Sequence, residues 1–412
     1  MNLRNQRYVA ATVFGFILAA ASRVMGSDFE TETGWNDQLF PSFIIATATL
    51  KLPEEAIEDR AEDEEVLGDT QGLLGVTIEA DEDDAPVTVT ISCGTIMEPS
   101  IFKGTLEKSG TTYTIFPKIK YKYDVLAKRS QPGPVTVTYK VQVGDEVEEK
   151  SETLTLRSIN DCPFTLSEDG KPVDVCFMFA AYVNEQHPFV DKLLRESLDT
   201  KVVDSFTGYQ SKDKAEVYRQ VYAVWHALTQ RDLKYSDITT SSAESDAVNS
   251  QHVRMIDESI NNAQANCVDG SVLMASVLRK VGIEPVLIMV PGHCYLGFQL
   301  DAEGKEFAAL ETTLLGSSPD EGVKVEGLGD VPEEWESRKS WKSFTAALAI
   351  GTADLAKNAE KFKKHDDVDY QIISVMAARK LGILPIAFQA DREFVPTKPV
   401  KEETAAEVET KE

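Results

Sequence analysis

The sequence lacks the signatures of several common chemistries. It has no phosphate-cradling G-x-x-x-x-G-K-[ST] and no placed G-x-G-x-x-G, so no nucleotide cofactor is indicated. Its acidic runs, 54–65 and 79–84, lack the Asp-x-Asp-x-Asp-Gly spacing of an EF-hand. They read as solvated loops, with a calcium loop the alternative. Its five cysteines, Cys93, Cys162, Cys176, Cys267 and Cys294, form no C-x-x-C pair and no zinc pattern. No cofactor and no metal are therefore expected. Positive charge is scarce: 42 Lys and Arg stand against 68 Asp and Glu, a formal net charge of −26. Such a surface repels phosphate backbones and anionic lipid heads, which argues against nucleic acid as a partner.

Long apolar runs are also missing, apart from one at the N-terminus. Arg4 and Arg7 precede an uncharged apolar stretch at 8–21, and small residues follow at Ala19, Ala21 and Gly26. Residues 1–26 read as a signal peptide. The stretch falls short of the ~20 residues that span a bilayer comfortably, and an uncleaved anchor is the alternative. The implied location is extracytoplasmic: periplasmic, secreted or cell-envelope. Membrane contact is expected only through an uncleaved N-terminal segment.

What the chain does have is length and apolar content. At 412 residues and 42% hydrophobic composition it can bury a sizeable core, and two domains plus tails are expected. Residues 40–158 show period-two alternation in short runs at 73–79, 87–92, 102–106, 112–116, 135–143 and 147–156. Ser109-Gly110, Pro132-Gly133 and Gly144-Asp145 separate some of them. A further strand is expected from Phe43, with Ile44, Ala46, Ala48, Leu50 and Leu52 on one side. Residues 54–67 are the one helical candidate there. The pattern predicts a β-sandwich over 40–158.

From about residue 175 to 390 the texture turns helical. Residues 190–198 and 214–230 read as helices. Asp213 and Glu216 offer a capping box for the second, and Val217, Val221, Val224, Trp225 and Leu228 form its apolar stripe. A helix at 266–280 ends near Gly282, and strands follow at 286–290, 293–300 and 307–312. Helices at 341–363 and 370–381 come next, and the acidic tail, 391–412, is expected to be disordered. The fold class is α+β: the β-sandwich, then a core with a buried cysteine helix packed on an antiparallel sheet. Cys162 and Cys176 flank a short polar loop. An exported protein could bridge them, worth about 3 kcal/mol in the chain-entropy model; two buried thiols are the alternative.

The chemistry concentrates in three places. Asn266 is a good N-cap, which puts Cys267 at the first helical position, among free N–H groups and at the positive end of the helix dipole. That environment favours negative charge on sulfur. A lone cysteine is otherwise most often an inert buried residue. His293 opens a strand whose alternation sends Cys294, Leu296, Phe298 and Leu300 to an apolar face. His293, Tyr295, Gly297 and Gln299 then take the polar one. Glu311 lies on the next expected strand, where a carboxylate can accept the second ring N–H of the histidine. A metal site of Cys267, His293 and Cys294 is disfavoured, because His293 and Cys294 face opposite sides of one strand.

Taken together, these residues resemble a known family. Asn266-Cys-Val-Asp-Gly-Ser-Val-Leu-Met-Ala-Ser-Val-Leu-Arg-Lys-Val-Gly-Ile, with Pro291-Gly-His and Glu311-Thr-Thr, resembles the three motifs of the transglutaminase-like, papain-type superfamily. The helix around 217–228 followed by Lys234-Tyr235-Ser236 is similar to the helix before its core, so the resemblance covers about 180–315. It implies a Cys267–His293–Glu311 triad for acyl transfer or hydrolysis at amide bonds through a thioester. Gln264 or Gln251 would supply the oxyanion donor beside the Cys267 amide. The substrate would be a protein, a peptide or peptidoglycan. Glu311 stands where aspartate is usual in that family, and local geometry must absorb its greater length. A non-catalytic binding or scaffold protein on the same fold is the alternative.

Overall fold

The structure is a computed structural model. It describes residues 28–50, 64–69, 71–168, 171–237, 247–364, 367–386 and 392–395. The expected signal peptide, most of the acidic run at 54–65 and the tail beyond 395 lie outside them. The fold is mixed α/β with several sheets, consistent with the α+β class. The chain divides into two units that interleave in sequence. Unit 1 takes Met1–Tyr182, Thr240–Val253 and His365–Phe388; unit 2 takes Val183–Thr239, Arg254–Lys364 and Gln389–Glu412. Residues 240–253 and 365–388, inside the expected second domain, thus belong to unit 1.

In unit 1, with elements numbered in chain order, β1 (Glu30–Thr33), β3 (Glu64–Gly68), β4 (Leu74–Glu79) and β7 (Thr112–Phe116) form one sheet, ordered β1-β4-β7-β3. A second sheet runs β2-β10-β9-β5-β6-β8. Its strands are β2 (Gln38–Leu39), β5 (Ala85–Cys93), β6 (Met97–Leu106), β8 (Lys120–Tyr121), β9 (Gly133–Val143) and β10 (Glu146–Leu156). In β9, Val135, Val137, Tyr139 and Val141 are buried while Thr136, Lys140 and Gln142 are exposed, as period-two alternation dictates. The Tyr139 hydroxyl donates to the Glu32 carbonyl at 3.1 Å, joining the two sheets. A third sheet is ordered β12-β11-β14, from β11 (Asp161–Glu168), β12 (Lys171–Asp174) and β14 (Val248–His252).

Three expectations fail in unit 1. The run after Phe43 is not a strand: Pro41–Ala46 is a short helix, α1, with proline in its first turn and all six residues buried. Proline is suited to that position, and burial on every side leaves no period to read. Residues 64–67 are not helical but lie in β3, paired in parallel with β7. The expected helix at 370–381 is a strand, β19 (Gln371–Ser374), followed by α9 (Val375–Leu381). The β-branched pair Ile372-Ile373 suits a strand, and Ser374 then accepts the Ala377 N–H at 3.2 Å, so the helix starts there. A small helix, α2 (Tyr123–Ala127), and a 3-10 helix at Cys176–Tyr182 also lie in this unit. Cys162 and Cys176 are two buried free thiols, bonded to the Pro163 and Phe164 carbonyls and not to each other.

Unit 2 holds α3 (Pro188–Asp199), α4 (Lys214–Gln230), α5 (Ile256–Asn262), α6 (Cys267–Lys280), α7 (Glu333–Ser337) and α8 (Lys339–Lys357). Its strands are β13 (Lys234–Tyr235), β15 (Gln264–Ala265), β16 (Pro285–Val290), β17 (His293–Gln299) and β18 (Phe307–Leu310). Asp213 caps α4 by accepting the Ala215 N–H at 2.9 Å, but Glu216 faces Arg219 and does not complete the expected box. The apolar stripe of α4 is buried, and Trp225 donates its indole N–H to Ser343 of α8 at 3.0 Å. β17 pairs antiparallel with β16 and β18, and α6 packs on it. α6 is buried on every side from Val268 to Leu278. Each large apolar side chain sealed there contributes about 1.5–3 kcal/mol. α8, placed by the sequence at 341–363, runs Lys339–Lys357 and presses on β18. A Cβ on Gly351 would lie 2.8 Å from the Ala309 carbonyl.

Candidate active site

The site begins with the cap of α6. Asn266 accepts the Asp269 N–H at 2.8 Å, and Asp269 accepts the Asn266 N–H at 3.0 Å. This reciprocal cap fixes Cys267 as the first helical residue. Asp269 is fully buried. Its other contacts come from Arg254, whose backbone N–H lies 2.8 Å from Oδ1 and whose guanidinium lies 2.7 Å from Oδ2. A buried carboxylate is tolerated only with such pairing. Cys267 is half-buried, whereas Cys93, Cys162, Cys176 and Cys294 are buried. Burial pushes the Cys294 thiol well above its ordinary value.

His293 stands at the start of β17, just after the Pro291-Gly292 turn, and Gly292 has φ +69. That left-handed backbone favours glycine. The His293 Nε2 lies 2.7 Å from Glu311 Oε2. The ring also interacts with the Cys267 side chain, and this hydrogen bond is the largest cause of its raised pKa. The Glu311 hydrogen bond adds to it, burial opposes both, and His293 is pushed up to about 10. The imidazolium is therefore the resting form at neutral pH. With Nε2 engaged by the carboxylate, Nδ1 is the nitrogen left for the sulfur.

Glu311 is not on the strand. β18 ends at Leu310, and Glu311 caps a short 3-10 turn, Thr312–Leu314. Its Oε1 accepts the Thr313 N–H at 3.1 Å and the Thr313 hydroxyl at 2.7 Å, which leaves Oε2 for His293. Its own N–H donates to Ala347 of α8 at 3.0 Å. Burial would raise this carboxyl, but the bonds from His293 and Thr313 outweigh it and hold it below the ordinary range. The longer side chain is thus absorbed by leaving the strand and folding back over the turn. Thr312 lies 3.4 Å from the Cys267 carbonyl and 3.1 Å from Ser271 Oγ. A Cβ on Gly270 would meet Thr312 at 3.2 Å, so the glycine permits that approach.

All three expected triad members lie in unit 2: Glu311 is bonded to His293, and the Cys267 side chain helps raise the pKa of that ring. The two oxyanion candidates lie on different strands. Gln264 is exposed on β15, three residues before Cys267, while Gln251 is on β14 of unit 1, opposite Cys162. Sequence reasoning missed several supporting residues. Arg254, Asp269, Thr312 and Thr313 had no role assigned, although Asn266-x-x-Asp269 has capping-box spacing. It also gave no role to Tyr235, which is 43% exposed on β13. Burial and then the charges of Cys267, Asp237 and Glu311 push its hydroxyl up. β13 pairs with β15, setting Tyr235 opposite Ala265.

The face carrying His293 is not polar, as alternation had suggested. Tyr295 and Gly297 are buried with Cys294, Leu296 and Phe298, and only the two end residues of β17, His293 and Gln299, are half-buried. Among the described residues, no group of three or more His, Cys, Asp or Glu is placed to hold a metal ion. Among them, no helix is long and apolar enough to cross a membrane. No protein-family model matches the chain, and no curated protein matches it significantly.

Proposed function

We propose that unit 2 is a transglutaminase-like, papain-type core that performs acyl transfer at amide bonds through a thioester on Cys267. The unit 1 sheets would then be an accessory sandwich. The observation that carries the reading is the 2.7 Å contact between His293 and a doubly anchored Glu311, with the Cys267 side chain acting on the same ring to favour its charged form. Such a relay is what a thiol nucleophile requires.

With the proton already held on His293, the Cys267 sulfur attacks the amide carbonyl carbon as the thiolate paired with the imidazolium. The oxyanion is met by the Cys267 backbone N–H and a side-chain donor, for which Gln264 and Gln251 are the candidates. As the tetrahedral intermediate collapses, His293 returns the proton to the departing amine and the C–N bond breaks. Water or a second amine then attacks the thioester, giving up its proton to His293, and the sulfur leaves. Glu311 holds the ring in one tautomer and stabilises the imidazolium. A protein, peptide or peptidoglycan side chain met outside the cytoplasm would supply the amide.

Acyl-donor peptides, offered with and without an added amine, test this against Cys267→Ala. Ammonia release or amine incorporation should require Cys267. A thiol-reactive probe should label Cys267 fastest of the five cysteines. Uniformly slow labelling and no turnover would leave a binding or scaffold protein instead.

A further inference from the structure

The residues that carry Cys267 lie in a closed loop. Arg254 and Asp269 join its ends through the two contacts already described, and α5, β15 and Cys267 fall between them. α5 ends at Ala263 in the left-handed conformation, φ +53, and the chain reaches Cys267 four residues later. The position of α5 therefore bears on the position of the nucleophile.

A segment far along the chain grips α5 at three points. Arg392 lies 2.5 Å from Asp257 Oδ2 and 3.2 Å from Glu258 Oε1. The Asn261 side chain reads the backbone of the same segment in both directions. Its Nδ2 donates to the Glu393 carbonyl at 2.8 Å, and its Oδ1 accepts the Val395 N–H at 3.1 Å. Phe394 packs edge-on against Phe189 of α3, with ring centroids 5.0 Å apart, and beneath the Arg231 guanidinium at 4.2 Å. Arg231 also donates to the Val395 carbonyl at 3.0 Å and is itself held by Glu196 of α3.

The charge at the centre needs this segment. Asp257 is 2% exposed. Its Oδ1 faces His187 at 3.3 Å, whereas its Oδ2 accepts no hydrogen bond of good geometry, so the Arg392 charge is what answers it. Burial alone would raise this carboxyl; the His187 bond and the Arg392 charge outweigh it and hold it low. Removing one partner of a buried pair leaves an uncompensated charge and is strongly destabilising locally. Glu258 works on both sides: Oε1 takes Arg392, and Oε2 accepts the Met255 N–H that starts α5.

We propose that residues 392–395 are a latch: an Arg-x-Phe segment of this chain that docks on α3 and α5 and fixes the loop presenting Cys267. Docking keeps α5 in place, and release loosens the run from Met255 to Cys267. The latch stands on its own geometry. Its effect on turnover rests on the thiol chemistry proposed above.

Hydrogen–deuterium exchange on the full-length protein tests it. Arg392→Ala and Phe394→Ala should each speed exchange over residues 255–265 at least tenfold, with β16 and β17 unchanged. Iodoacetamide labelling of Cys267 should change several-fold in the same variants. Arg392→Lys should keep part of the protection. Glu393→Ala, which removes an exposed side chain and leaves the backbone contacts, should match wild type. Unchanged exchange over 255–265 in both alanine variants would overturn the latch, as would faster exchange spread evenly over unit 2. Full acyl transfer by Cys267→Ala would sink the thiol chemistry and leave the exchange result standing.

Discussion

β9 in unit 1 and β17 in unit 2 both alternate in sequence, and they mean different things by it. In β9 the polar positions are the solvent face, so Thr136, Lys140 and Gln142 are exposed. In β17 the positions opposite Cys294 and Leu296 are Tyr295 and Gly297, and both are buried. α6 packs on the sheet, and Gly297 lies against Val286 and Ile288. Alternation reports which residues share a face. It reports solvent only when one face of the sheet is left uncovered. His293 owes its access to its place at the strand end, beside a turn, and not to the face it is on.

That contrast sets an order of sensitivity, and each rung can be tested. Within unit 2 the largest effect belongs to the proposed nucleophile. Cys267→Ala should abolish acyl transfer, and His293→Ala should lower kcat/KM by on the order of 10³-fold or more, since triad members act as a unit. Stability, followed by thermal melting, should change little beside those losses. Substantial turnover by either variant would dissolve the special status of the β17 end.

Glu311→Gln comes next, with a loss on the order of 10²-fold or more from a misdirected tautomer. The pH profile carries the sharper signal. His293 is raised to about 10, so the stabilisation from its charged form is complete below its unfolded value and is lost as pH rises through about 10. Glu311 is lowered, so its contribution is present above its unfolded value and is lost as pH falls through its folded one. Wild-type activity should therefore hold through neutral pH and fall near pH 10. In Glu311→Gln one of the supports of the imidazolium is gone, and the alkaline fall should begin at lower pH. An unmoved alkaline limit would mean that the carboxylate does not tune the ring.

How much of this was legible follows the same physics. The Cys267 position was readable because Asn266 is a strong cap and small or apolar residues follow it. The strands of β9 and β10 were readable because one face meets water. Glu311 was identified but placed on the wrong element: a strand pattern cannot show that the chain turns at Leu310 and that Thr313 folds the carboxylate back. α1 was misread for a related reason. Its six residues are all buried, so an apolar run carried no helical period. The docking of residues 392–395 had no local signal, since its partners lie 132 to 205 positions away in sequence and only folding brings them together.

The smallest effects separate the two sheets directly. A Cβ on Gly297 would stand 2.7 Å from Val286 Cγ2 and 3.0 Å from Ile288 Cδ1, inside a covered face. Gly297→Ala should cost about 1–3 kcal/mol, as overpacking a filled interior does. Thr138 holds the corresponding kind of position on β9, where its hydroxyl lies 3.1 Å from Ser151 on the exposed side. Thr138→Ala removes one solvent-competed hydrogen bond and should move stability by no more than about 0.5 kcal/mol. Urea melts of the two variants make the comparison. Equal costs would mean that the outer face of β9 is covered by something in solution, and the contrast between a one-faced and a two-faced sheet would lose its basis.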